Sequence, residues 1–170
     1  MTSKRRISSI TDKLWILIPF VLIFLFAGFA GPIADNDRAL ADDTEDVNEV
    51  IDNFEIAYSN ERLDDLRQLF FAEAVIAIDT SAGDIQRVYG LENWLSNTQE
   101  YTFARNEFIS DELTNREIQV FRNIAYVVCD YRYEDDNNVG IGVDVFTMMK
   151  MRDRWRILSL QFTGDEGPGR

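Results

Sequence analysis

The sequence predicts an α+β domain, helices packed on one curved antiparallel sheet, and three observations lead there. From Glu117 to Phe162 the chain alternates apolar and polar residues in segments separated by short polar breaks, the pattern of a three-strand antiparallel meander. Ahead of it lie two stretches with apolar residues at helical spacing. Between these parts, two short apolar segments flank Gly83, as the arms of a hairpin would.

The first element precedes the domain. Lys4, Arg5, Arg6 and Lys13 stand before an uncharged apolar run, Leu14 to Ala30, and Asp35, Asp37, Asp42, Asp43, Glu45 and Asp46 follow it. This charge order reads as an export signal that places the rest of the chain outside the cytoplasm, periplasmic, secreted or anchored to the inner membrane. Ala39-Leu40-Ala41 has the small-x-small form that a signal peptidase needs, and Gly28-Phe29-Ala30 is a second such site. If uncleaved, residues 14–34 approach the ~20 residues that span a bilayer and would be the sole membrane contact. Residues 1–41 are therefore read as signal peptide or signal anchor plus tether, 42–163 as the domain and 164–170 as a flexible tail.

Within the domain, Val47, Val50, Ile51, Phe54, Ala57 and Tyr58 form an apolar stripe of helical period, with Asp43 or Thr44 as N-cap. Ser59-Asn60 interrupts it, and Asn60 is placed to cap a second helix carrying Leu63, Leu66, Leu69 and Phe70. Val75 to Asp79 reads as a short strand, Thr80 to Asp84 as a turn and Ile85 to Tyr89 as the hairpin partner; Gly90 then leads into a helix over Leu91, Trp94 and Leu95 to about Tyr101. From Asn106 the pattern is strand-like, with breaks at Arg122-Asn123, Asp135 to Asn138 and Arg152-Asp153. Ala125, Val127, Cys129, Tyr131 and Tyr133 share one face of the strand Ile124 to Glu134; Ile124, Tyr126, Val128, Asp130 and Arg132 share the other. Even alternation on the last strand puts Trp155, Ile157, Ser159 and Gln161 on one face and Arg156, Leu158, Leu160 and Phe162 on the opposite one.

Composition bounds the chemistry. Twelve Phe, six Tyr and three Trp argue for a folded core despite the net charge of −13. That charge repels nucleic acid and anionic headgroups, so no nucleic-acid partner is expected. The chain has no histidine, which excludes Ser-His, Cys-His and His-zinc sites; no metal and no cofactor are expected. Cys129, alone and inside an apolar strand, reads as a structural thiol.

The order helix, helix, hairpin, helix, meander resembles the nuclear transport factor 2-like superfamily, in its SnoaL-like branch. Tyr58 to Leu66 with Leu69-Phe70 and Ala74-Val75, Tyr89 to Trp94, Asn123 to Val127, and Asp153 to Ile157 carry the likeness, which covers about residues 44 to 163. These are packing and turn signatures, so the resemblance implies a cystatin-like cone and says little about activity. It also implies that members doing chemistry place Asp, Tyr or His in the cone to move a proton beside a carbonyl. Without histidine, only a carboxylate base with a tyrosine or protonated acid as donor is left.

Candidate site residues follow. Asp79 closes the first strand, as a base in a dry site or as a turn-forming acid. Tyr58 extends its helix stripe toward the cone, as a hydrogen-bonding or a core tyrosine. Asp130, with Arg132 on its face, and Asp144 interrupt apolar strands, where carboxylates need a partner; Asp130 is the alternative candidate base to Asp79, and salt-bridged pairs are the plainer account. Tyr131 is a second candidate proton donor. Trp94, Trp155, Ser159 and Gln161, together with Tyr58, are candidate ligand contacts, with the solvent face as the alternative for Ser159 and Gln161. Arg105 and Glu107 read as a rim pair. Three functions are weighed: binding of a small apolar or amphipathic molecule in the cone, homodimeric association through the sheet, and proton-transfer catalysis of the isomerase or dehydratase type.

Overall fold

In the computed structural model, which describes residues 30–80 and 84–166, the stripe beginning at Val47 belongs to a longer helix, α1 (Ala30–Ser59). The chain divides after Ala39, and Leu40 onward is the α+β unit. Val47, Ile51, Phe54 and Ala57 are buried along one face, as their spacing predicts. Neither Asp43 nor Thr44 caps this helix, because both lie within it; the Thr44 hydroxyl donates one turn back to the Leu40 carbonyl at 2.8 Å. The tether expected before residue 42 is thus helical from Ala30. The export segment read over residues 14–30 lies outside the described residues up to Phe29, and no described helix is long and apolar enough to cross a membrane.

Asn60 closes α1 rather than opening the next helix. Its side-chain amide donates to the Ile56 carbonyl at 2.7 Å, and Glu61, at φ 57°, turns the chain. After α2 (Leu63–Leu69) the chain is extended at once, so Phe70 starts strand β1 (Phe70–Thr80) instead of ending a helix. The turn read at Gly83 lies outside the described residues, and β2 (Asp84–Gly90) pairs antiparallel with β1. Next come α3 (Leu91–Tyr101), a 3₁₀ turn (Phe103–Arg105), and strands β3 (Ile109–Phe121), β4 (Ile124–Asp135), β5 (Val139–Met151) and β6 (Arg154–Glu166). Turns fall at Arg122 and at Arg152-Asp153, all three with positive φ.

One six-stranded sheet results, in the order β2-β1-β6-β5-β4-β3. All neighbours are antiparallel except β1 and β6, which run parallel, so the N-terminal hairpin extends the meander from its last strand. The meander has four strands, since β3 begins eight residues before Glu117. On β4 the two faces are as read: Ala125, Val127 and Cys129 are buried, while Ile124, Tyr126, Val128 and Asp130 are exposed.

β6 departs from even alternation. Its pairing with β5 shifts between Thr147 and Met148, with Thr147 opposite Ser159 and Met148 opposite Ile157, so Leu158 is an extra residue. Trp155 and Ile157 before the bulge, and Leu160 and Phe162 after it, therefore all turn to the core side. Ser159 and Gln161 are carried to the outer face beside Thr147 and Val145. Gly164, Asp165 and Glu166, read as tail, pair with Gly142, Ile141 and Gly140.

Ion pairs fasten α1 to the sheet. Arg116 of β3 donates to Asp52, to Glu55 at 3.0 Å and to Asn48 at 2.9 Å, and Glu55 also accepts the Leu113 amide. Lys150 of β5 reaches Asp43 at 2.5 Å. Arg116 is only 15% exposed, which makes its pairs less screened than the surface pairs of Arg62 and Arg67.

Candidate functional site

A cavity of about 930 Å³ opens between the C-terminal part of α1, α3 and the inner face of the sheet. Each wall has a local cause. Tyr58 follows Phe54 by one turn of α1, so both rings face the same side and stack at 6.0 Å. Tyr58 also stacks with Trp94 of α3 at 6.4 Å and meets Phe103 and Tyr133 edge-on. Tyr131 and Tyr133 extend the inward row of β4 beyond Cys129 and line the cavity.

Two glycines make room for Tyr131. Gly142 stands opposite it on β5 and Gly164 opposite Gly142 on β6. A Cβ at Gly142 would come within 2.6 Å of the Tyr131 ring, and one at Gly164 within 2.6 Å of its hydroxyl; Gly140 leaves ordinary contact distance. The ring thereby occupies space on the sheet that side chains would fill.

Among these rings stand carboxyl groups. Asp111 of β3 and Asp144 of β5 are 8% and 5% exposed and both line the cavity. Burial, then the Glu55 charge, pushes the Asp111 carboxyl up to about 7. Burial, then Asp111 itself, holds Asp144 well above the usual carboxylate range. Among the described residues, neither carboxylate has an ion pair or a side-chain donor. Only the Asp111 backbone is fastened, its amide donating to the Ser59 hydroxyl at 2.8 Å. Asp79 of β1 adds a third carboxylate at the irregularity in the β1–β2 pairing, with Oδ1 buried and without a hydrogen-bond partner among the described residues.

The Tyr58 hydroxyl is pushed up by burial and then by Asp111, which keeps it a neutral donor or acceptor. At the rim, Tyr133 donates to Asp135 at 2.7 Å, and the Asn137 and Asn138 amides donate to the same carboxylate at 2.8 Å. Burial alone would raise Asp135, but these hydrogen bonds outweigh it and its carboxyl lies below the ordinary value. The Cys129 thiol, behind the wall, is pushed up to about 12 by burial and then by Asp144. No group of His, Cys, Asp and Glu able to hold a metal ion is found among the described residues.

Of the candidates read from sequence, Tyr58, Asp79, Trp94 and Tyr131 converge on this one cavity. Asp144 joins them. Asp130 does not: it is on the outer face, where its carboxylate accepts from Asn115 at 2.7 Å, and Arg132 pairs with Glu134 instead of with Asp130. Ser159 and Gln161 are outside because of the bulge at Leu158. Trp155 is buried near the start of β6, away from the cavity lining, with the Lys150 ammonium 5.8 Å from its ring. Arg105 donates to the Glu100 carbonyl and lies over Tyr101, while the Glu107 amide binds Asp136, so the two make no rim pair. Asp111 joins the site without being among the sequence candidates; its signal is its place in the middle of the alternation Ile109, Asp111, Leu113, whose outer members are both buried.

Comparisons agree with this architecture. A family model described as "Putative lumazine-binding" matches residues 42–163. Among solved structures, a nuclear transport factor 2-like protein of Pseudomonas putida KT2440 superposes with a TM-score of 0.63 at 10% identity, over 72% of this chain and 87% of that one. A superfamily protein of Salmonella enterica serovar Typhimurium LT2 gives 0.60 at 18% identity, over 74% and 93%. Bd1075 of Bdellovibrio bacteriovorus gives 0.58 at 17% identity over 69% of this chain, which spans only 39% of the length of Bd1075. At these identities the likeness shows the fold. No curated protein matches the sequence.

Proposed function

From the premise that the chain belongs to the lumazine-binding-like family within the nuclear transport factor 2-like superfamily, we propose that it binds a small amphipathic molecule in the cone without turning it over. One observation carries this reading: a cavity of about 930 Å³ walled by stacked aromatic rings with buried, unpaired carboxyl groups set among them. Pockets of ~300–1,000 Å³, apolar with a few convergent polar groups, suit drug-sized ligands. Aromatic faces take the ligand's apolar body, and Asp79, Asp111 and Asp144 meet its polar end. Native mass spectrometry of the purified protein tests the reading. A small molecule retained at one per chain, and lost from a Tyr58→Ala variant that stays folded, supports it; wild-type protein that is empty and retains nothing from a metabolite extract refutes it.

A proton-transfer reading draws on the same wall, because Asp79, Tyr58 and Tyr131 share the cavity with two carboxyls whose protons are held toward neutrality. Exchange of an α-proton of a bound ketone for deuterium, abolished by Asp79→Asn, would favour catalysis over binding. Association through the sheet is favoured by a different observation, the exposed apolar row Ile124, Tyr126 and Val128 on the outer face of β4. A dimer in sedimentation that Val128→Arg converts to monomer would support it.

We also propose that the domain works outside the cytoplasm. The reading rests on the basic residues before Leu14 and the acids after Ala30. An alkaline phosphatase fused after residue 60 should be active in cells, and an inactive fusion at normal level refutes the export.

A further inference from the structure

Among the described residues the cavity is lined by six acids, Asp79, Asp111, Glu134, Asp135, Asp136 and Asp144, against one base, Arg87. Three of the acids are already engaged. Glu134 pairs with Arg132, Asp135 accepts from Tyr133 and two backbone amides, and Asp136 accepts the Glu107 amide. Arg87 is exposed and directs its guanidinium to the Tyr89 hydroxyl. What is left without a described donor or cation is the buried pair Asp111 and Asp144, with the half-buried Asp79 beside them, a trio brought in from three separate strands.

Burying carboxylates with nothing positive beside them is costly, and such groups ordinarily have a partner. The walls next to them are the rings of Tyr58, Trp94 and Tyr131, whose faces carry the negative end of the aromatic quadrupole and attract a cation. An anionic ligand would meet both repulsions. A neutral ligand would leave the buried pair to keep its protons, whereas a cation lets it ionise against an opposite charge. From this placement, and resting on the cone-binding reading above, we infer that the ligand is an organic cation, a protonated amine on an aromatic or apolar body. Its ammonium group lies at Asp111 and Asp144, and its body lies on Tyr58 and Trp94.

Three congeners of nearly one shape separate the cases: tryptamine (cation), tryptophol (neutral) and indole-3-propionate (anion). They are offered to the purified full chain by equilibrium dialysis at physiological salt. Tryptamine should bind at least about tenfold tighter than tryptophol, since cation–aromatic contact and charge pairing in a desolvated site supply that much discrimination, and indole-3-propionate should be excluded. The Asp111→Asn/Asp144→Asn variant, shown folded by circular dichroism, should bring tryptamine and tryptophol to parity. Tryptophol or indole-3-propionate binding as well as tryptamine overturns the cation inference while cone binding stands. Unchanged tryptamine preference in the double variant also overturns it, because the cation is then held elsewhere. Retention of none of the three at millimolar concentration, with no molecule co-purifying in native mass spectrometry, overturns the cation inference and cone binding together.

Discussion

Replacing Asp111 by asparagine should make the protein more stable at alkaline pH. Asp111 is 8% exposed, and its carboxyl is pushed up to about 7 from an ordinary 3.8 by burial and by Glu55. The folded state therefore holds the Asp111 proton more tightly than the unfolded chain does. Stability from this group is greatest below the ordinary value, declines as pH rises from there to about 7, and is flat above. With about 1.4 kcal/mol for each tenfold change in proton affinity, the raised carboxyl costs on the order of 4 kcal/mol at pH 8, where it is ionised in the dry wall, and on the order of 2 kcal/mol at pH 5, where it must take up a proton on folding. Asparagine has nearly the same size and no charge to bury, so Asp111→Asn should exceed wild type by those amounts as upper bounds. Urea unfolding followed by tryptophan fluorescence at the two pH values measures the difference. An Asp111→Asn protein no more stable than wild type at pH 8, or a gain that does not shrink at pH 5, would show that the carboxyl does not stand in a dry wall. The site would then lack the cost that marks it as built for a ligand.

Other perturbations test the scaffold around the cavity. Gly142→Ala puts a Cβ 1.7 Å from the Thr163 carbonyl oxygen, backbone that cannot yield, so it should cost about 3 kcal/mol or more in urea unfolding and disturb the β5–β6 pairing. Arg116→Met removes the partner of Glu55 and Asp52, whose carboxylates stay partly solvated, and should destabilise by about 1–2 kcal/mol. It should also raise the Asp111 carboxyl further, because Glu55 loses its compensating charge, an effect visible as a shifted carbonyl band in infrared pH titration. Asp135→Ala frees the Tyr133 hydroxyl and two backbone amides and should cost about 1–3 kcal/mol, with faster hydrogen exchange at Asn137 and Asn138. Since the Asp135 carboxyl lies below its ordinary value, its contribution is present above that value and is lost as pH falls through the folded one.

Several parts of this molecule were legible as sequence. The stripe from Val47 to Tyr58, the two faces of β4, the turns at Arg122 and Arg152 and the helix after Gly90 are all periodic or punctuated patterns within a dozen residues, and local patterns dictate local structure. Helix ends were less legible. Asn60, Thr44 and Phe70 took other roles because capping, back-bonding and strand entry use the same residue types.

Local pattern and composition are enough for the element order, the aromatic content of the core, the absence of histidine and the place of Cys129 inside an apolar strand. Tertiary structure alone decided which carboxylates matter. Asp79, Asp111 and Asp144 are far apart in the chain and reach one cavity because β1 runs parallel beside β6 and the meander carries β3 and β5 around it. The single extra residue at Leu158 likewise sent Ser159 and Gln161 outward and Leu160 and Phe162 inward. With a side-chain period of two, one unpaired residue reverses every face beyond it, and nothing in the alternation itself records where that reversal falls.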